Sequence, residues 1–329
     1  MSATPPYVKI LSTGSYVPDR VITNAEVSSW LGEDVDQWLV DNVGIRERRW
    51  MAPDQVTSDL VVAASQQALD RAGLTARDID LVLLSTDTPD QLSPCTAARV
   101  QDVLGADRAG CSDVNAACAG WVTALDLGAR WLLTEPGAKH VLVAGGYGIS
   151  RYVDRTDKRT AGLFADGAGA AVITRSEAPG WLGSELRAVG SFHDALGIYT
   201  GGTRRPHDPE HAPAVQFVRK FPKTFNVERW PPLVEAALGK AGLRFDDVDM
   251  FLLTQLNLRT IEAVLDAMGQ PHDKARWVMD KWGYTGSPCV VMALHDAIER
   301  GTGPAVGDEI VFCASGGGIT LAASVWRWV

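Results

Sequence analysis

Ala68-Leu69-Asp70-Arg71-Ala72-Gly73-Leu74-Thr75-Ala76-Arg77-Asp78-Ile79-Asp80-Leu81-Val82-Leu83-Leu84-Ser85 reads as a helix end, a glycine stop and a buried strand. It recurs as Ala237-Leu238-Gly239-Lys240-Ala241-Gly242-Leu243-Arg244-Phe245-Asp246-Asp247-Val248-Asp249-Met250-Phe251-Leu252-Leu253-Thr254, each residue 169 positions after its counterpart, without a gap. Any two helix-glycine-strand units share some likeness, but identical spacing through eighteen residues indicates a duplication. The same offset carries Cys118 onto Ser287, inside Gly283-Tyr284-Thr285-Gly286-Ser287-Pro288-Cys289, a small-residue turn that opens a helical pattern from Val290 to Arg300. The chain therefore divides into related halves, 1–175 and 176–329.

Around the repeat, strands and helices alternate. Val8 to Thr13 is strand-like, Asp34 to Asn42 a short helix, Thr57 to Ala72 an amphipathic helix and Ile79 to Ser85 a buried strand. Thr96 to Leu104 and Cys118 to Leu133 follow as helices, Val141 to Ala144 as a strand, and Phe164-Ala165-Asp166-Gly167 leads through a glycine turn into another. Such alternation predicts an α/β layered architecture with sheets buried on both faces. In α/β sheets ligands gather at the C-terminal ends of strands, where Thr254 falls.

Chemistry concentrates in Ser112-Asp113-Val114-Asn115-Ala116-Ala117-Cys118-Ala119-Gly120-Trp121, where a Cys stands among small residues between a strand-like run and a long helical pattern. A helix N-terminus offers unpaired N–H groups and a positive dipole end, which favour a thiolate and lower its pKa. Against this stands the ordinary use of a free Cys as a small core residue. The five cysteines, Cys95, Cys111, Cys118, Cys289 and Cys313, are odd in number and show no CxxC spacing, which suggests neither a disulfide framework nor a zinc site. With 31 basic and 40 acidic residues the net charge is -9, and no Lys/Arg cluster suggests a nucleic-acid footprint. Neither a signal-peptide pattern nor an uninterrupted run of about 18 apolar residues is present. The expectation is a soluble, cytoplasmic protein without a membrane partner.

These segments together resemble the β-ketoacyl-acyl-carrier-protein synthases III of the thiolase superfamily. The resemblance runs from Lys9-Ile10 to the C-terminus. It is carried by Gly44-Ile45-Arg46-Glu47-Arg48, Asp113 to Gly120, Phe164 to Val172, Asn257-Leu258-Arg259, Lys281 to Thr285 and Ser315-Gly316-Gly317-Gly318. It implies a duplicated five-layered α-β-α-β-α thiolase fold, a homodimer, and no cofactor beyond an acyl-CoA or acyl-carrier-protein thioester substrate whose acyl group passes to Cys118. The oxyanion of that step would be held by backbone N–H groups of Cys118 and of Gly316, Gly317 and Gly318, since glycine lets backbone approach without a Cβ. The plain alternative for three glycines is a tight turn between strands. Trp38 matches a position that stacks on the CoA adenine, Arg259 one near the pantetheine entrance, and Asn257 and Ser315 join the expected substrate-binding set. Ser93 matches a bulky residue at the floor of the acyl pocket, so a chain longer than acetyl is expected. Asn42 and Lys158 stand where Arg often meets the CoA nucleotide, which favours a carrier-borne donor.

The departures bear on mechanism. The resemblance implies a Cys-His-Asn triad, yet the His position is Thr254 and the Asn position Tyr284. In the family these groups stabilise the enolate formed when malonyl thioester loses carbon dioxide. Removing one oxyanion donor typically costs about 100- to 1000-fold in rate. Three readings follow. The acyl group passes from Cys118 to an oxygen, nitrogen, sulfur or already stabilised carbon acceptor without malonyl decarboxylation. Alternatively Thr254 and Tyr284 replace the missing donors and decarboxylative condensation proceeds. Alternatively the chain is a weakly active partner of a paralogous condensing enzyme, a role on which an otherwise intact Cys118 loop would be wasted.

No histidine stands out as a substitute base. His140, His272 and His295 read as surface or packing residues, while His193, His207 and His211 fall in the Gly/Pro-rich 190–216 stretch that can cap the pocket. Val215 to Trp230 interleaves Arg219, Lys220, Lys223 and Arg229 with Phe221 and Phe225. It reads as a solvated helix face or, alternatively, as a docking surface for an acidic carrier protein.

Overall fold

The computed structural model describes residues 6–210, 212–222 and 224–329. His211 and Lys223 lie outside the described residues. The layered body runs β1 (Tyr7–Tyr16), α1 (Thr57–Ala72), β2 (Leu81–Ser85), α2 (Thr96–Leu104), β3 (Gly110–Val114), α3 (Gly120–Thr134), β4 (His140–Tyr147), β5 (Gly167–Ser176), β6 (Trp181–Ala188), α4 (Phe225–Ala241), β7 (Met250–Leu253), α5 (Leu258–Ala267), α6 (Cys289–Glu299), β8 (Glu309–Gly316) and β9 (Thr320–Arg327).

The strands form two sheets, ordered β1-β5-β4-β2-β3 and β7-β8-β9-β6. In the first, β4, β2 and β3 are parallel and β5 runs against both of its neighbours. In the second, β7 and β8 are parallel while β9 runs against β8 and β6. The repeat is visible at the level of elements. β2 begins at Leu81 and β7 at Met250, and β4 occupies His140–Tyr147 where β8 occupies Glu309–Gly316, all at the 169-residue offset. Gly73 and Gly242 end α1 and α4 with φ of 65° and 71°, the left-handed cap that glycine adopts without a Cβ penalty.

α3 and α6 are buried on nearly every side, as a helix between two sheets must be. Their side chains Trp121, Leu125, Val290 and Leu294 share one core with Val143 and Ile173 of the first sheet and with Phe312 and Trp326 of the second. α1 and α2 cover the outer face of the first sheet, and α4 and α5 that of the second. The result is the α-β-α-β-α layering of the thiolase fold. β3 is an edge strand with no counterpart in the second sheet, where Met279–Trp282 is a short helix instead. Among the described residues no helix is long and apolar enough to cross a membrane.

Two local expectations change. Val215 to Trp230 is not one solvated helix: Val215–Phe217 pairs as a strand with Leu196–Ile198, and helix α4 starts only at Phe225. Phe192, Phe221 and Phe225 pack ring against ring, so this stretch folds inward on its aromatics. Helix α3 starts at Gly120 rather than Cys118.

Candidate active site

Cys118 sits in the turn between β3 and α3. Asn115 Oδ1 accepts the Ala117 N–H at 3.1 Å, and Ala117 takes a φ of 46°, a left-handed conformation that costs a non-glycine residue about 1–3 kcal/mol. The N–H groups of Ala119 and Gly120 then bond back to Ala116 and Ala117 before the helix begins. Small residues are required here by contact. A Cβ on Gly120 would overlap Ser85 Oγ, and one on Gly316 would overlap Ala116 O and stand 2.9 Å from Cys118 N. Thr320 Oγ1 also donates to Ala116 O at 2.6 Å, so the β8–β9 hairpin is fastened to the nucleophile turn.

The Cys118 thiol is only 8% exposed and is pushed up to about 12 by burial first and by the charge of Asp87 second. The Tyr284 side chain and the Gly317 N–H, both hydrogen-bonding the sulfur, and the Cys118 N–H pull the other way without overcoming burial. This corrects the expectation of a lowered pKa: the resting nucleophile is a thiol. The donors aimed at sulfur stabilise negative charge as it develops during attack.

Thr254 and Tyr284, predicted to flank the nucleophile, both line the cavity that reaches it. Thr254 follows the last residue of β7, and its Oγ1 accepts the Ser315 N–H at 3.2 Å, leaving its own proton free to donate. Tyr284 is held by two backbone bonds, from its N–H to Leu163 O and from the Ala165 N–H to its carbonyl, at 3.0 and 2.9 Å. Its phenol lies well above its ordinary pKa because it is buried beside Cys118. Arg48 and Asp166, from two of the sequence motifs, do not line the cavity and hold the surrounding backbone instead. Arg48, wholly buried, donates to Asn24 Oδ1, Gly162 O and Ile22 O, and burial lowers its pKa to about 10. Asp166 accepts the N–H groups of Met51 and Ser150, and burial raises it to about 6.

The cavity, about 610 Å³, joins Cys118 to Ser315, Gly316 and Gly317 and opens past Asn257, Arg259, Asn42 and Trp38, the last 57% exposed. Phe217, Phe221, Phe225, Leu196 and Leu256 form its apolar wall. Arg259 donates from Nε to Asp41 O and pairs with Glu262, while Asn257 caps α5 by accepting the Arg259 N–H. Two predicted residues are not brought to this cavity: Gly318, at a φ of 73° in the hairpin turn, and Ser93, exposed on the loop between β2 and α2. The glycine run is thus both readings at once, a tight turn whose first two residues face the nucleophile. Lys158 pairs with Glu33 away from the cavity. His295 is buried and shares a hydrogen bond with Thr13 Oγ1, His272 pairs with Asp266, and no histidine lines the cavity among the described residues. Of the basic residues in the 215–230 stretch, Arg219 pairs with Asp194 and Arg229 with Glu228.

Sequence reasoning missed Asp87, Tyr147 and the aromatic wall. Asp87 carried a usable signal, standing just past the C-terminal end of a buried strand. Among the described residues no group of three or more His, Cys, Asp or Glu is arranged to hold a metal.

Comparison with known proteins agrees with this layout. Residues 112–190 match the family model of 3-oxoacyl-[acyl-carrier-protein] synthase III, and residues 238–328 match its C-terminal model. A β-ketoacyl-[acyl-carrier-protein] synthase III of Clostridium beijerinckii is 35% identical over 98% of this chain and 99% of its own. Among solved structures, the priming β-ketosynthase of the R1128 polyketide pathway superposes with a TM-score of 0.93 at 32% identity, covering 100% of this chain and 98% of that one. The 3-oxoacyl-[acyl-carrier-protein] synthase III of Aquifex aeolicus gives 0.89 at 32%, covering 98% and 100%.

Proposed function

This chain belongs to the 3-oxoacyl-[acyl-carrier-protein] synthase III family of thiolase-fold condensing enzymes, and from that premise we propose that it loads an acyl group from a CoA or carrier-protein thioester onto Cys118 and passes it to an acceptor other than a malonyl-derived enolate. The observation that carries this reading is the set of groups around the sulfur. Thr254 and Tyr284 stand where the family's His and Asn are expected, and among the described residues no imidazole lines the cavity, whose side-chain amides come from Asn42, Asn226 and Asn257 instead. Acylation needs only a nucleophile and an oxyanion site. Cys118 attacks the thioester carbonyl, its proton passes to the departing thiol, and the oxyanion meets the N–H groups of Cys118 and the Gly316–Gly317 backbone. The acceptor is an oxygen, nitrogen, sulfur or stabilised carbon nucleophile, oriented by the Thr254 and Tyr284 hydroxyls. The open edge of β3 supports assembly as a homodimer.

One observation favours a second reading. The Thr254 proton is free to donate into the cavity, so an enolate oxygen placed there has one donor, and decarboxylative condensation would proceed slowly. The experiment is intact-mass analysis after incubation with acyl-CoA and acyl-carrier thioesters, followed by malonyl thioester. An adduct mapping to Cys118 and lost in Cys118→Ala, with no release of carbon dioxide, is the expected result. Carbon dioxide release coupled to product selects the second reading, and absence of any adduct overturns both.

A further inference from the structure

Three side chains converge past the C-terminal ends of adjacent strands in the first sheet. β2 pairs in parallel with β3 on one side and β4 on the other, setting Ser85 opposite both Val114 and Gly145. Asp87 follows Ser85 by two residues, Cys118 follows Val114 by four, and Tyr147 follows Gly145 by two. Neighbouring strands are about 4.8 Å apart, so the carboxyl, the thiol and the phenol emerge into one small region. The Asp87 charge accordingly acts on both Cys118 and Tyr147.

Asp87 differs from the other carboxylates near the site in its partners. Asp90 takes the N–H and hydroxyl of Ser58, Asp113 the N–H groups of Thr96 and Ala97, and Asp166 those of Met51 and Ser150. Asp87 Oδ1, by contrast, is buried with no hydrogen-bond partner, and among the described residues no cation contributes to its shift. The side chain is set deep enough for burial to raise it to about 6, although the residue as a whole is only half-buried. Neither Asp87 nor Tyr147 lines the entrance cavity, so the unpartnered carboxyl oxygen stands near Cys118 and outside that cavity, within reach of an acyl group carried on the sulfur.

We propose that Asp87 is a specificity-determining residue that selects an acyl group carrying a hydrogen-bond donor, a hydroxyl or an ammonium, within a few atoms of the thioester carbonyl. The proposal rests on the reading of Cys118 as the acyl carrier. A plain hydrocarbon chain on Cys118 leaves the buried carboxyl oxygen without a partner. A donor-bearing chain completes the carboxylate instead. Sites built to bond a substrate donor reject the analogue that lacks it, because the protein's own polar group is then left unpaired.

The test measures the rate of adduct formation at Cys118 by intact mass, using propanoyl-, 2-hydroxypropanoyl-, 3-hydroxypropanoyl- and 3-aminopropanoyl-CoA with the full chain. At least one donor-bearing thioester is expected to acylate about 10- to 100-fold faster than propanoyl, the range of a hydrogen bond to a charged group. The hydroxyl and amino arms identify which donor is read. In Asp87→Leu the preference is expected to reverse toward propanoyl. Asp87→Asn, which keeps an acceptor oxygen but no charge, is expected to retain any hydroxyl preference and lose an ammonium preference. Propanoyl acylating the native chain as fast as every donor-bearing thioester overturns the role of Asp87 and leaves the acyl-transfer reading standing. Absence of any adduct overturns both.

Discussion

Ser85 Oγ and Ser287 Oγ lie 2.5 Å apart, both fully buried, and the repeat makes them the counterparts of Thr254 and Cys118. The same pair of turns therefore meets twice. One meeting holds the thiol and a hydroxyl at a cavity, and the other is closed as a hydrogen bond between the halves. Removing one partner of a buried pair strands the other, at about 1–3 kcal/mol, whereas removing both costs less than the sum. Ser287→Ala is expected to lower stability in this range, and the Ser85→Ala/Ser287→Ala double variant to show positive coupling in a thermal or urea double-mutant cycle.

Glycines at the site and away from it are expected to behave oppositely. Gly316→Ala places a methyl group against Ala116 O and Cys118 N, both backbone atoms that cannot swing aside, so it should lower the melting temperature and abolish acylation of Cys118. Gly239 lies within α4, where an added methyl group would meet nothing within 4 Å. Gly239→Ala should stabilise the fold by about 0.5–1 kcal/mol through helix propensity, read as a raised urea midpoint.

Tyr284 donates to the Cys118 sulfur, and that contribution favours the thiolate. Tyr284→Phe removes it while keeping the ring against Phe164. A hydrogen bond to a charged group is worth about 1.5–3 kcal/mol, so alkylation of Cys118 by iodoacetamide should slow by about 10- to 100-fold at pH 8–9. The measurement is the pH dependence of the alkylation rate mapped to Cys118, and an unchanged profile would remove Tyr284 from the activation of the thiol.

The sequence was most legible where local pattern and duplication agree. Thr57–Ala72 and Thr96–Leu104 are helices at the residues their apolar spacing and capping glycines predict, and the 169-residue offset carries β2 onto β7. The site was legible as a set of turns, since Cys118, Thr254, Tyr284 and Gly316–Gly317 each follow a strand or open a helix. Two properties were not. The elevated thiol pKa depends on burial between two sheets, which no local pattern encodes, and the inward fold of Phe221 and Phe225 depends on a three-residue strand pairing too short to read. Ser93 shows the same limit from the other side, because it lies on an exposed loop and does not line the cavity of its own chain.

Asp87 should weaken the fold at neutral pH. Its folded-state pKa is about 6 against an ordinary 3.8, so between those values the folded chain holds a proton that the unfolded chain has released. The stability this group contributes is fully present below about pH 4, falls as pH rises through 6, and stays lost above. Each pKa unit corresponds to about 1.4 kcal/mol, and the residue as a whole is only half-buried, which places the effect at about 1–3 kcal/mol. Asp87→Asn carries no such charge. Its unfolding free energy should match that of the native chain near pH 4 and exceed it by this amount at pH 7.5, whereas Asp166, also raised to about 6, is common to both chains and cancels. Urea unfolding of the two chains across pH 4–8 checks this, and parallel profiles would place the Asp87 carboxylate in water rather than buried beside the thiol.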